Sequence, residues 1–137
     1  MKSRFLILAY PPAWIAKTIL DHCTKLVDVG TTVALARLHM TLEFLGESRT
    51  PQTDLVARVR AALDQHDLSA CDVTLGRLVA NDKAALLQSC GSQSGVKILR
   101  TGVSRILRDA GITPQPKGFY PHVTYGYRAT RSGRWPI

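Results

Sequence analysis

Two histidines each stand two residues ahead of a threonine: His39 and Thr41 in "LHMTLEFLGE", and His122 and Thr124 in "YPHVTYGYR". Side chains two apart on a β-strand point the same way, so each pair offers an imidazole and a hydroxyl to one side. Two imidazoles, with an ordinary pKa of about 6.5, can take one proton and give another near neutral pH. The hydroxyls beside them can donate to phosphate oxygens and stabilise charge that develops in a transition state. Cleaving a phosphodiester with a neighbouring hydroxyl, or opening a cyclic phosphate, calls for this set of groups and for no metal or other cofactor. One such motif is unremarkable, whereas two on alternating strands form the chain's strongest chemical signal.

The elements that must position these groups can be read from periodicity. "RFLILAY" has the pattern of a buried strand, which Pro11 and Pro12 end before a helix. Ile15, Ile19, Cys23 and Leu26 recur at helical spacing in "AWIAKTILDHCTKLV". "TTVALARLHMTLEFLG" alternates, with Leu38, Met40, Leu42 and Phe44 on one face and His39, Thr41 and Glu43 on the other. A helix follows, with Thr50 as its N-cap and Pro51 at its first position. "CDVTLGRLVA" and "KAALLQS" read as a hairpin around "NDK". The loop "SCGSQSG" leads to a helix from Val96 to about Gly111, and "TPQPKG" delivers the chain to the second histidine strand.

The order strand, helix, His-x-Thr strand therefore occurs twice, from Phe5 through Trp14 to His39 and from Ala84 through Val96 to His122. This pattern points to an internal duplication. Two such units predict an α+β fold, with helices packed on one side of a mixed sheet and the two histidines facing each other across a cleft.

The bulk properties are permissive. A chain of 137 residues with 45% hydrophobic and 20% charged residues suits one folded domain. Its formal net charge of +8 favours anionic partners such as nucleic acid or a nucleotide phosphate, although solubility explains such a charge equally well. Cys23, Cys71 and Cys90 are odd in number and form no CxxC pair, so a reducing, cytoplasmic setting is expected. The apolar run in "MKSRFLILAYPPAW" is too short for a signal core, and no stretch approaches the length of a membrane span.

With both motifs and the opening "RFLILAYPP", the sequence resembles the 2H phosphoesterase superfamily over nearly its whole length. Within it, the chain looks like the bacterial 2′-5′ RNA ligase / RNA 2′,3′-cyclic phosphodiesterase (LigT-like) branch. The resemblance implies a bilobal α+β fold of residues 1–137, with two pseudo-symmetric lobes, mixed or antiparallel sheets lining a central cleft and helices outside. It implies hydrolysis of a 2′,3′-cyclic phosphate to a 2′-phosphate, at an RNA end or on a small cyclic nucleotide, with reversible 2′-5′ joining in the same site. His39 would then be the proton donor to the departing ribose oxygen and His122 the base that activates water, while Thr41 and Thr124 hold the phosphate. There are two departures from the family pattern. Many relatives carry an arginine five residues after the second histidine, where this chain has Tyr127 followed by Arg128. Relatives also continue through another strand or two beyond "RSGRWPI", so C-terminal strands of the family would be missing and a sheet edge left open.

Arg128, on the face of His122 and Thr124 by strict alternation, is a candidate substrate contact. Tyr120 and Tyr127 are candidates to stack a nucleobase, whereas Tyr125 falls on the apolar face. Glu43 reads as a solvated strand carboxylate, Arg100, Arg105 and Arg108 as a solvated helix face, and His22 and His66 as surface positions. The alternative functional reading is a non-catalytic, basic RNA- or nucleotide-binding module of the same fold. Zinc binding by the two histidines and a cysteine lacks ligand spacing and leaves the threonines unexplained. No protein partner is implied.

Overall fold

The computed structural model describes residues 2–91, 93–115 and 118–137. Met1, Ser92, Pro116 and Lys117, which belong to the N-terminal and loop segments read above, lie outside the described residues. The elements run β1 (Ser3–Ala9), α1 (Ala13–Leu26), β2 (Val29–Thr32), a 3₁₀ turn (Leu35–Arg37), β3 (Met40–Ser48), α2 (Thr53–Asp64), β4 (Leu75–Ala80), β5 (Ala84–Ser89), α3 (Ser94–Asp109), β6 (His122–Ala129) and β7 (Gly133–Pro136). The class is α+β as expected. The single mixed sheet is not: the described strands form a two-stranded sheet, β1-β3, and a five-stranded sheet in the order β2-β6-β5-β4-β7, whose paired neighbours are all antiparallel.

The chain divides into two compact units. The first comprises residues 1–7, 41–73 and 93–119, and holds most of β1 and β3 with α2 and α3. Val59 and Ala62 of α2 and Val96, Val103, Ile106 and Leu107 of α3 are buried, at the spacings of single helical faces. The second comprises residues 8–40, 74–92 and 120–137, and holds α1 with the five-stranded sheet. One face of that sheet carries Leu78, Ala80, Ala85, Leu87, Val123 and Tyr125, all buried, and α1 contributes Ala16, Ile19 and Cys23 to the same core. The Tyr125 hydroxyl donates to the Val27 carbonyl just after α1, at 2.9 Å, so the largest fully buried side chain keeps its polar tip satisfied.

Several boundaries differ from the expectation. The long alternating strand before the first motif is interrupted: β2 ends at Thr32, and the 3₁₀ turn intervenes before β3. Thr50 and Pro51 precede α2 without capping it, because the Thr50 amide and hydroxyl both engage the Ser48 hydroxyl. The C-terminal segment "GRWP" is a strand that pairs with β4, with Leu78 opposite Trp135 and Val79 opposite Arg134.

Candidate active site

The two histidines are held by the same local device. His39 lies between the 3₁₀ turn and β3, and its Nδ1 is 2.8 Å from the carbonyl oxygen of Arg37. His122 is the first residue of β6, and its Nδ1 is 2.7 Å from the carbonyl oxygen of Tyr120. In both cases the carbonyl belongs to the residue two places earlier. A carbonyl oxygen only accepts, so Nδ1 carries the hydrogen and donates it. Each neutral ring therefore presents Nε2 as its basic nitrogen, and each protonated ring presents an Nε2–H acid. Both histidines belong to the second unit, and both are half-buried. The Tyr10 ring lies 6.2 Å from that of His39, a neighbour that the opening-strand motif did not single out.

The surroundings of His122 follow from strand register. His122 pairs with Gln88 on β5, and Gln88 pairs in turn with Arg77 on β4. Thr124 pairs with Leu86, and Leu86 with Val79. Directly opposed residues in an antiparallel sheet project to the same side, so these side chains share the face opposite the core. The β5–β6 register then slips at Tyr125, since Ala85 faces Gly126 whereas Leu86 faces Thr124. This bulge resets the alternation. Tyr127, paired with Ala84, consequently rejoins the face of His122 and Thr124, a position that strict alternation assigned to Arg128. Arg128 has a positive φ of 58° and runs beside Gly30 on β2, where its guanidinium donates to the Thr31 hydroxyl at 2.7 Å. Tyr127 is about half exposed, and Tyr120, which supplies the carbonyl that holds His122, has a freely exposed ring.

Thr41 lies on β3 in the first unit and is half-buried. Two residues further along the same face, Glu43 departs from its expected role, being only 3% exposed. Its carboxylate accepts from the Ser104 hydroxyl and lies 3.5 Å from Nε of Arg100, which also donates to the Leu42 carbonyl at 3.1 Å. The Arg100 guanidinium sits 4.7 Å from the centre of the Phe119 ring. Arg100 and Ser104 thus fasten α3 to the strand of the first motif, and Arg100 does not belong to a solvated face. Three cavities in the first unit, such as the one lined by Phe5, Leu45, Leu55 and Val59, are lined by neither histidine. Among the described residues, no three His, Cys, Asp or Glu side chains are grouped as metal ligands would be, and no helix is long and apolar enough to cross a membrane.

No protein-family model and no curated protein matches the chain. Solved structures do. Escherichia coli LigT in apo form superposes with a TM-score of 0.71 at 21% identity, over 99% of this chain and 83% of that one. The chain has the LigT-like fold. TT0787 of Thermus thermophilus aligns at a TM-score of 0.63 and 20% identity, covering 98% of this chain and 81% of its own. The ns2 PDE domain of MHV aligns at 0.59 and 17%, over 100% and 88%. LigT has also been crystallised in complex with 3′-AMP, and in that form matches at a TM-score of 0.68. The LigT-like fold accounts for the α+β class and for the pairing of each motif strand with the strand that opens its half of the chain.

Proposed function

We propose that the protein is a phosphodiesterase that opens a 2′,3′-cyclic phosphate by two-histidine acid–base catalysis, within a single two-lobed domain of the LigT-like fold. The observation that carries this reading is the shared Nδ1-to-carbonyl bond, which commits both rings to exchange protons through Nε2. His122 takes a proton from water through Nε2, and the hydroxide formed attacks phosphorus. The bond from phosphorus to the 3′ oxygen breaks, and His39 delivers the Nε2 proton to that oxygen, leaving a 3′ hydroxyl and a 2′-phosphate. Thr41 and Thr124 donate their hydroxyls to the non-bridging oxygens, whose charge grows in the transition state. With the 5′ hydroxyl of a second RNA in place of water, the same two proton transfers would form a 2′-5′ junction and free the 3′ hydroxyl, and the excess of water favours hydrolysis. The phosphoesterase neighbours and the 3′-AMP complex of LigT agree with a nucleotide or RNA-end substrate.

The experiment is hydrolysis of a 2′,3′-cyclic mononucleotide and of a short RNA with a 2′,3′-cyclic end, in EDTA, with His39→Ala and His122→Ala beside the parent. Each substitution is expected to cost roughly a hundred- to ten-thousand-fold in kcat, and phosphorus NMR should find the product phosphate on the 2′ oxygen. Turnover that survives both substitutions sinks the mechanism. An RNA bound without turnover brings forward the binding-module reading.

A further inference from the structure

The open face of the five-stranded sheet continues past the histidine in ordered rows. One row runs His122, Gln88, Arg77 and Pro136 across β6, β5, β4 and β7. The next runs Thr124, Leu86, Val79 and Arg134 across the same strands. A bulge at Gly76 bounds this register on the N-terminal side of Arg77, since Leu75 faces Ser89 whereas Arg77 faces Gln88. The bulge leaves no room for a side chain: a Cβ on Gly76 would overlap the Cys90 sulfur. Strands are spaced about 4.8 Å apart, so Arg77 stands about 10 Å from His122, and Arg134 about 14 Å from Thr124. Arg77 and Arg134 are exposed and, among the described residues, neither is paired with a carboxylate. Between them and the histidine, Gln88 offers hydrogen bonds, while the half-buried Leu86 and Val79 form an apolar floor.

We infer that this strip, Gln88, Arg77 and Arg134, binds the backbone of a single-stranded RNA whose cyclic-phosphate end lies at His122. The inference rests on the catalytic reading above and sharpens it from a nucleotide to a polymer. Guanidinium groups hold phosphates by paired donors, and here they lie at increasing distance from the reacting end, where a mononucleotide has no second phosphate to offer. Like charges on neighbouring strands repel when nothing neutralises them. A polyanion laid across β4 and β7 removes that repulsion, and the apolar floor of Leu86 and Val79 between the arginines and the histidine motif gives bases an apolar surface that does not read their identity.

The test compares a cyclic mononucleotide with a fluorescein-labelled RNA hexamer ending in a 2′,3′-cyclic phosphate, using Arg77→Gln/Arg134→Gln and, as a charge control on α3, Arg105→Gln. The ratio of kcat/KM for hexamer over mononucleotide is expected to fall about tenfold in the double variant. The salt dependence of hexamer kcat/KM should become shallower by about 1.4 in log–log slope, at roughly 0.7 for each single-strand phosphate that an arginine no longer neutralises. The Arg105→Gln control should leave the ratio where it was. An unchanged ratio in the double variant, or an equal fall in the control, overturns the strip while leaving two-histidine catalysis standing. If neither substrate turns over, fluorescence anisotropy of the hexamer decides separately. A shallower salt slope in the double variant then keeps the strip and drops the catalytic reading, and an unchanged slope drops the strip as well.

Discussion

The two His-x-Thr motifs share one clamp and differ in frame. In each, a carbonyl two residues upstream fixes Nδ1. The second motif then enters β6, which has hydrogen-bonded neighbours on both sides, β2 and β5, and is backed by the α1 core. The first enters β3, whose sheet among the described residues has only β1 as a partner, and α3 secures it with an ion pair and hydrogen bonds. The helices are exchanged between the halves. α1 precedes the first motif in the chain but packs in the unit that holds β6, and α3 precedes the second but belongs to the unit that holds β3 from Thr41 onward. A well-paired strand can rest on apolar packing alone, whereas a strand with one partner takes a buried charged contact to hold its position.

The largest way to break this comparison is to remove the charge from the first frame. Glu43→Ala leaves Arg100 without its carboxylate on a strand face where Glu43 is only 3% exposed. The expected loss is about 3 kcal/mol, read by urea denaturation. Replacing both partners by apolar residues, Glu43→Leu with Arg100→Met, should cost less than Glu43→Ala alone, since the Arg100 charge then no longer lies over a strand face that has lost its carboxylate. A parent-like midpoint for Glu43→Ala would mean that β1 pairing and apolar contacts already hold the strand.

The second frame breaks by crowding. A Cβ on Gly126, just after the bulge, would lie 2.5 Å from Val29 Cγ2 and under 3 Å from two further Val29 carbons. Gly126→Ala should therefore cost about 2 kcal/mol by overpacking. Adding Val29→Gly, which removes all three of those carbons, should restore part of it. Failure of that rescue would place the strain in the backbone at the bulge and not in the β2 contact.

Local signals in the chain carried much of this frame. The period-two alternation of Val123 and Tyr125 against His122 and Thr124 is what burial finds, and Ile19 and Cys23 face the core at the helical spacing read for α1. Three features needed partners far along the chain. Glu43 looked solvated because its neighbours Arg100 and Ser104 are 57 and 61 positions away, on a helix that belongs by chain order to the other half. The placement of Tyr127 in line with His122 depends on a register slip against β5, of which the strand glycine in "YGYR" is the one local sign. Arg77 shares the face of Val79 by plain alternation against Leu78 and Ala80, but its place in the row of His122 depends on pairing with Gln88 on β5, which "LGR" alone does not show. Alternation is a local rule, and bulges are the places where pairing overrides it.

The smallest expected effect also separates the two frames, by alkali. Burial pushes the Cys23 thiol up to about 11 from 9.0, and pushes the Tyr125 hydroxyl up to about 12 from 10.0, with Cys23 and Asp28 nearby adding to the latter. Both groups are neutral when protonated and sit in the α1–β6 core that backs the second motif. Because their folded-state values are raised, the unfolded chain ionises first as pH climbs. Their contribution to stability is whole below about pH 9 and drains away up to about pH 12. Between pH 8 and pH 10 the thiol alone should remove about 1 kcal/mol, a loss that Cys23→Ala should abolish while Glu43→Ala keeps it. Equal alkaline slopes in the parent and in Cys23→Ala would show that the thiol is not held neutral by this core, and that β6 owes its position to its two strand neighbours more than to the helix behind it.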